Sequence, residues 1–557
     1  MSVVPDHPDI EKLPDVLEGI PVKESIRQLF RDPENGTPDN ISKAGCLALA
    51  RLSNDLGAQQ GKGYVVWNAW REVFPVTVKN QAVFSGDARD SYLQRFRYQN
   101  VTDFTNVKTE NGLFLIAQLN RQFTFDKFKF GSFARFDESE WEGISFDFAQ
   151  WGEGSTFFGT SFGQSPSFQY CCWGDKTRFD GASWGLKATF LGANWGHSCS
   201  FIGASWASFP IFIFCSWLHS ADFTDSTIGW EANFSGAFFG KNCLFENVKF
   251  EAAICFNSWS LEEIPIEYKK FVLNNKKYTV ESGNFESIRD ISFGGSSFAG
   301  VDFSGRQFSG NINFGYPLKH SAQKRIKLKK DARGQIIFSD NPGSRGLPDW
   351  EYEDWERRPI TTFSAPPVFH DCTIGQGFHI HEDIEFPQPS FNRRNAADAY
   401  RALKLAFSKQ QAIREEQRFF KLEMEEETLR ETGLKRWLFK AYKRFSDYGF
   451  SITRPLKYGG LGVLALTLVY GILSWLGQCG LNMEGCRFAP EWLEFSLLQT
   501  LPLPGLDKMS EAASKKFWPD GAWWGLVLSI MVIIHKILSL AALFLIGLAL
   551  RNLFKLK

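Results

Sequence analysis

The chain has 557 residues, and its 62 Lys and Arg balance its 62 Asp and Glu. Zero formal charge argues against a dedicated nucleic-acid binder, which carries a basic patch or stripe. The length allows several domains, and Phe (55) and Trp (19) far outnumber Met (5), so aromatic packing dominates the expected core.

In chain order, the first fifteen residues, MSVVPDHPDIEKLPD, show neither a basic n-region nor an apolar h-region, so no cleavable signal peptide is expected. Residues 1–80 read as mostly helical, with Val22–Phe30, Ile41–Leu56 and Val65–Pro75 as helices. Trp67 and Trp70 lie three apart on one helix face. That face predicts a cap over the open edge of the adjoining repeat domain.

The repeat domain announces itself as a ladder. Trp151, Phe157, Phe162, Phe168, Trp173, Phe179, Trp184, Phe190, Trp195 and Phe201 recur at alternating steps of five and six, and the run continues to Phe256. No helix or ordinary strand has this period, so the segment is a repeat architecture. Its clearest half-unit is F-x-G-[AST]-x-[WF], as in FDGASW (Phe179–Trp184), FLGANW (Phe190–Trp195) and FIGASW (Phe201–Trp206). A small residue stands two positions before the bulky one: Ala182 before Trp184, Ala193 before Trp195, Ala204 before Trp206. Residues two apart on a strand share a side, so the small residue makes room for the large one. Cys171, Cys199, Cys215 and Cys243 occupy the same small position and read as buried fillers rather than disulfide partners. Gly181–Gly185 (GASWG) matches G-x-S-x-G, yet it lies inside the ladder, and no catalytic role is expected for Ser183. No enzyme constellation and no cofactor motif stands elsewhere.

The pattern resembles the pentapeptide-repeat family. The resemblance implies a right-handed quadrilateral parallel β-helix, with the small residue and the aromatic pointing inward. This chain departs from the family in its Trp content and in the sixth residue at every second step. Two eleven-residue units then predict coils of about 22 residues, against about 20 for a regular five-step repeat. The β-helix is placed at residues 81–261, with a continuation at 285–315 (Phe293, Phe298, Phe303, Phe308) and a final β segment at 363–392. Residues 262–284 and 316–362 read as insertions, the second as loop. In the final segment His379, His381 and Asp383 fall on one strand face, near His370 and Cys372. These are donors of metal-ligand type, but strand alternation alone accounts for them and no metal site is assigned.

Residues 393–457 read as a helical arm and a basic juxtamembrane linker. Asn395–Arg430 is expected as one long helix of roughly 50 Å. Lys435, Arg436, Lys440, Lys443, Arg444, Arg454 and Lys457 follow. Residues 458–557 carry two apolar runs, Gly459–Leu476 and Trp523–Leu550, each long enough to span a bilayer. The basic flanks predict both termini on the cytoplasmic side. Cys479 and Cys486 then fall in an outside loop, where a disulfide between them is a candidate. The same loop holds PEWLEFSLLQTLPLPG (Pro490–Gly505), a helix too short to span and broken by Pro502, Pro504 and Gly505.

Span, half-helix, span is the layout of two-helix cation channels. The chain is also similar to membrane-bound pentapeptide-repeat proteins with a channel-like tail, which implies a bacterial inner membrane. No T-V-G-Y-G filter is present. His535 and Lys536 lie inside the second apolar run, and an intramembrane charge is a functional candidate by default. With Leu497, Leu498, Thr500 and Pro502 they form the candidate pore lining or subunit contact. The expected function is a channel-like oligomeric membrane protein whose cytoplasmic β-helix acts as sensor, vestibule or scaffold. The alternative is a membrane-tethered scaffold without conduction. The expected partners are membrane lipid, further copies of the chain and a protein on the β-helix surface, with no nucleic acid and no cofactor.

Overall fold

The computed structural model describes residues 7–57, 60, 62–81, 96–99, 103–105, 107, 124–257, 287–317, 324–329, 337, 349–354, 359–388, 396–479, 491–500 and 506–554. The chain divides into two compact units, residues 1–388 and 389–557.

In the first unit two-residue strands alternate with tight corners, and each strand pairs in parallel with the residue one coil further on. Ser161 pairs with Ser183 and Ser183 with Ser205, while Cys172 pairs with Asn194 and Asn194 with Ser216, all 22 positions apart. Where the aromatic step is a regular five, the coil shortens: Ile288 pairs with Phe308, 20 positions on. Two parallel sheets, of eight and eleven strands among the described residues, run up the coils. Two rows of single bridges run between them, one through Thr124, Ser145, Ser167, Thr189, Ile211, Asn233 and Cys255, the other through Arg135, Thr156, Arg178, Ser200, Asp222 and Leu244. This is a parallel β-helix-like fold, and eight strands in one ladder span about 34 Å at the usual interstrand spacing.

The corners explain the five/six step. Lys176, Gly181, Lys187, Gly192, Ser198 and Gly203 all have φ between 58° and 66°, again five and six apart. The Gly of F-x-G is therefore the left-handed residue of one corner. A Cβ at Gly203 would meet nothing within 4 Å, so backbone conformation alone selects glycine there. At the other corners a residue with a Cβ takes the same conformation at a cost of about 1–2 kcal/mol each. Ladder hydrogen bonds and ring stacking offset that cost.

The stacking is in columns. Phe179 lies over Phe201 at 5.2 Å and 3°, Trp184 over Trp206 at 4.7 Å and 1°, Phe190 over Phe212 at 4.9 Å and 6°, and Trp195 over Trp217 at 4.7 Å and 5°. Neighbouring columns meet edge-on, as Trp195 meets Phe201 at 76°, the arrangement that ring quadrupoles favour. Ala182, Ala193 and Ala204 and the free thiols of Cys171, Cys199, Cys215 and Cys243 fill the small slots and are buried. Burial pushes the Cys243 thiol up to about 12. One feature of the columns runs against burial rules. The indole Nε1 atoms of Trp151, Trp173, Trp184, Trp195, Trp206 and Trp217 are buried without a hydrogen-bond partner among the described residues. Trp141 differs, because its Nε1 donates to Ser139 Oγ at 2.6 Å.

Three helices precede the coils: α1 (Lys23–Leu29), α2 (Lys43–Gly57) and α3 (Val65–Val73). The face predicted from Trp67 and Trp70 is fully buried. Trp67 lies 5.4 Å from Phe128 and 5.8 Å from Phe130, and its Nε1 donates to the Lys129 carbonyl at 2.8 Å. Asn68 donates to the Lys127 carbonyl and accepts from the Lys129 amide. Helix α3 thus takes up edge groups that the first coil would otherwise leave open. Thr77–Gln81 and Phe96–Gln99 form an antiparallel pair ahead of the coils.

The expected insertion at 262–284 lies outside the described residues. Among the described residues that follow, Arg306 stands two before Phe308, where a small residue is the rule. The buried guanidinium donates to the carbonyls of Ala237 at 2.9 Å, Phe234 at 3.0 Å and Phe256. In the second insertion, 324–328 and 350–354 pair antiparallel, so a ribbon stands where the sequence reads as loop.

The second unit corrects the single 50 Å arm. Asn395–Arg430 folds into two helices, α4 (Ala396–Lys409) and α5 (Ile413–Arg430), reversed at Gln411 with φ 59°. Each helix buries the other's apolar stripe: Phe407 stacks on Phe419 at 5.5 Å and 3°. Arg401 and Lys404 close on Glu423 at 2.7 and 2.6 Å, and Arg401 also holds Glu427. Helix α6 (Gly433–Ser446) comes next, then α7 (Thr453–Cys479), α8 (Glu491–Thr500), α9 (Leu506–Phe517) and α10 (Ala522–Phe554). Helix α9 has no counterpart among the helices expected from sequence. Thr453–Gly477 and Trp523–Asn552 are long and apolar enough to cross a membrane.

Candidate functional site: a polar seam among apolar helices

Helices α7 and α10 are ordinary helices with an inverted surface. On α7 the exposed residues are Leu461, Leu464, Leu468, Ile472, Trp475 and Leu476, whereas Thr467, Tyr470 and Ser474 are buried at i, i+3 and i+7. On α10 Ile530, Ile533, Ile534, Ile537, Leu540 and Phe544 are exposed, and Met531, His535 and Ser539 are buried at four-residue spacing. Helix α8 adds buried Phe495, Ser496 and Gln499. Polar groups thus gather inside and branched apolar side chains point out.

The inner groups bond to one another. The Thr467 hydroxyl donates to the Val463 carbonyl at 2.6 Å, which leaves its oxygen to accept from Ser496 at 2.5 Å. Thr500 donates to the Ser496 carbonyl at 2.9 Å, and its oxygen lies 3.2 Å from His535 Nε2. With the threonine proton so committed, Nε2 carries the hydrogen and Nδ1 the lone pair. Ser474 donates to the Phe517 carbonyl at 2.5 Å. The Tyr470 ring lies 6.0 Å from the imidazole at 22°.

Five buried polar atoms of these helices have no hydrogen-bond partner among the described residues: His535 Nδ1, Tyr470 OH, Gln499 Oε1, Ser539 Oγ and, at the start of α8, Glu491 Oε2. Each costs about 1–3 kcal/mol relative to an apolar residue of similar shape. An imidazole, a phenol, an amide and several hydroxyls can relay protons or replace part of the hydration shell of a small ion.

The sequence candidates divide. His535 is fully buried and touches Thr500, so the structure brings these two together. Along the helix His535 lies about 18 Å from Trp523 and about 26 Å from Asn552, inside the apolar stretch rather than at its edge. Lys536 is half-buried beside it. Leu497 points away and is 68% exposed, and Leu498 is half-buried. Pro502 and Cys486 lie outside the described residues, and so does the candidate Cys479–Cys486 disulfide. Thr467, Tyr470, Ser474 and Ser496 are not among the sequence candidates, although their helical spacing within an apolar run is a readable signal.

Elsewhere, His381 Nδ1 accepts from the Asp383 amide at 3.2 Å, and Asp383 accepts from the Tyr316 hydroxyl at 3.0 Å. Cys372 Sγ donates to the Phe303 carbonyl. Among the described residues no three His, Cys, Asp or Glu gather as a metal site. Ser183 sits in the ladder between Ser161 and Ser205. The chain matches no family model, and no curated protein matches it.

Proposed function

We propose that this chain is an oligomeric, channel-like membrane protein whose two apolar helices span the bilayer. Its first unit, read as a right-handed quadrilateral β-helix of pentapeptide-repeat type, lies on the cytoplasmic side with both termini and serves as sensor, vestibule or scaffold. The observation that carries the reading is the inverted surface, with leucine and isoleucine outside and the His535–Thr500 and Ser496–Thr467 bonds inside. In water the outward side chains would be a large apolar patch, and in lipid they are solvated. Two helices from one chain cannot enclose a path, so conduction requires several copies. The test is current across planar bilayers from a detergent-purified oligomer of measured mass. Thr500→Val and His535→Leu are expected to reduce conductance at least tenfold, on the order of the effect of one lost polar contact in a dry path. A confirmed oligomer with no conductance refutes the channel.

One observation favours the second reading, a tethered scaffold. The seam's hydrogen bonds close within a single chain, and interhelical polar bonds also act as glue for packed spans. On that reading the same substitutions loosen α8 and leave no current to lose.

A further inference from the structure

Helix α6 carries a feature that the seam does not use. Its sequence, GLKRWLFKAYKRFS, contains Lys435, Arg436, Lys440, Lys443 and Arg444 and no acidic residue. Leu434, Trp437, Leu438 and Phe445 are exposed, the first two by 73% and 63%. With Ala441 these residues fall within about 100° of the helix circumference at 3.6 residues per turn. Lys435 and Arg444 flank the stripe, and Arg436, Lys440 and Lys443 fill the opposite side. A bare leucine and tryptophan stripe bordered by cations is the composition of a helix that lies in a membrane interface.

We propose that α6 docks flat on the anionic leaflet from which α7 enters the bilayer, its apolar stripe set among the acyl chains and its cations among the phosphates. Three observations select lipid as the occupant. Five positive charges with no carboxylate complement an anionic surface. The stripe is continuous with α7, because Phe445 packs edge-on against Tyr458 at 5.4 Å and Arg444 lies over the same ring at 5.6 Å. The turn that joins the helices is fixed, since Asp447 is held by Lys421 at 2.7 Å and Arg454 at 3.2 Å. The end of α6 is therefore anchored at the mouth of α7. Lys435 and Lys443 already pair with Glu431 and Glu425, whereas Lys440 and Arg444 have no ion pair among the described residues. This surface rests on the reading of α7 as a span.

The test is hydrogen exchange of the full-length chain, one copy per nanodisc, in phosphatidylcholine and in phosphatidylcholine mixed with phosphatidylglycerol. Amides 434–445 are expected to exchange more slowly in the mixed disc. The variant with Lys440→Gln and Arg444→Gln should lose that lipid dependence by roughly fivefold per removed charge. Trp437→Ser should lose protection in both lipids, and Trp437→Phe should keep it. Equal exchange in the two lipids, or a charge variant indistinguishable from wild type, overturns the proposal. Protection that requires two chains per disc overturns it in favour of a second copy on the stripe. A chain that inserts into neither disc, and whose α7 and α10 amides exchange freely, overturns the span reading as well.

Discussion

Replacing Trp195 by Phe removes one of the six buried indole N–H groups that have no acceptor, and the structure predicts little or no loss of stability. The substitution deletes roughly 40 Å³, which costs about 1 kcal/mol in residual cavity. Removing an unsatisfied buried donor returns about 1–3 kcal/mol, less what its edge-on approach to Phe201 recovers, on the order of 0.5 kcal/mol. The net lies between about 0.5 kcal/mol destabilising and about 1.5 kcal/mol stabilising. Phe is already the ladder residue at Phe239, which continues the same column beyond Trp217 at 5.0 Å and 3°. Trp141→Phe is the control. It creates the same void, also about 1 kcal/mol, and breaks the bond to Ser139, a further 0.5–1.5 kcal/mol or so. The two substitutions should therefore differ by about 1–4 kcal/mol, or roughly 2–16 °C in Tm at the conversion appropriate to large domains. Thermal unfolding of the detergent-purified chain, followed by near-UV circular dichroism, reads the aromatic columns directly. Equal destabilisation by the two variants, or a fall of more than about 4 °C for Trp195→Phe, would refute the reasoning and show that indole stacking outweighs the orphaned donor.

Asp147 gives a pH-dependent case. Burial holds its carboxyl above the usual carboxylate range, with the nearby Asp126 adding to the rise. The unfolded chain then loses this proton at lower pH than the folded one. Stability contributed by the site is greatest below the ordinary value near ~4 and falls as pH rises toward the folded value. Asp147→Asn keeps an Oδ1 to accept from Ser167 and the Gln169 amide and should flatten that fall, as a Tm series across the window would show. Arg306→Met tests the guanidinium that bridges the carbonyls of Phe234, Ala237 and Phe256. Leaving three carbonyls without their charged donor should cost about 3–5 kcal/mol, read as a lower Tm in the same assay, and an unchanged Tm would sink the bridging role.

The ladder is legible in sequence because every step but Ile228 between Trp151 and Phe256 leaves an aromatic residue, and the alternation of five and six carries the coil length. The parallel pairing of residues 22 apart follows from that count. The corners are less legible. Gly181, Gly192 and Gly203 advertise a left-handed residue, but Lys176, Lys187 and Ser198 adopt the same conformation with no compositional signature. Arg306 is unreadable for a different reason. Its partners at 234, 237 and 256 lie 50 to 72 positions earlier in the chain, too far for any local pattern to mark them. The arm reads as one helix because helical periodicity continues smoothly across Gln410 and Gln411, and nothing local marks the reversal. Of the polar seam, His535 and Thr500 stand out as polar residues beside apolar runs. Thr467, Tyr470 and Ser474 do not, because hydroxyls scattered in an apolar helix gain meaning only when their shared face is seen to be the inner one.

The two units differ in what accompanies their apolar cores, and that contrast bears on mechanism. In the first, apolar rings fill the interior, and an orphaned indole is tolerated because stacking surrounds it on both sides. In the second, leucine and isoleucine lie outside the two apolar helices, and beside buried Phe495, Phe517, Trp518 and Met531 the interior holds an imidazole, a phenol and an amide with unmet hydrogen-bonding capacity. If the interior served only to hold α8 between α7 and α10, apolar residues would do so without that penalty, since close packing of apolar side chains binds helices in lipid as well. On the proposed membrane reading, the outer layer of hydrocarbon also raises the cost of each unmet polar atom, because water is farther away. The penalty is therefore largest where the polar groups are most concentrated, around His535. On the proposed channel reading these groups are kept for what they transfer, and the conductance of Thr500→Val measured against wild type decides whether they are.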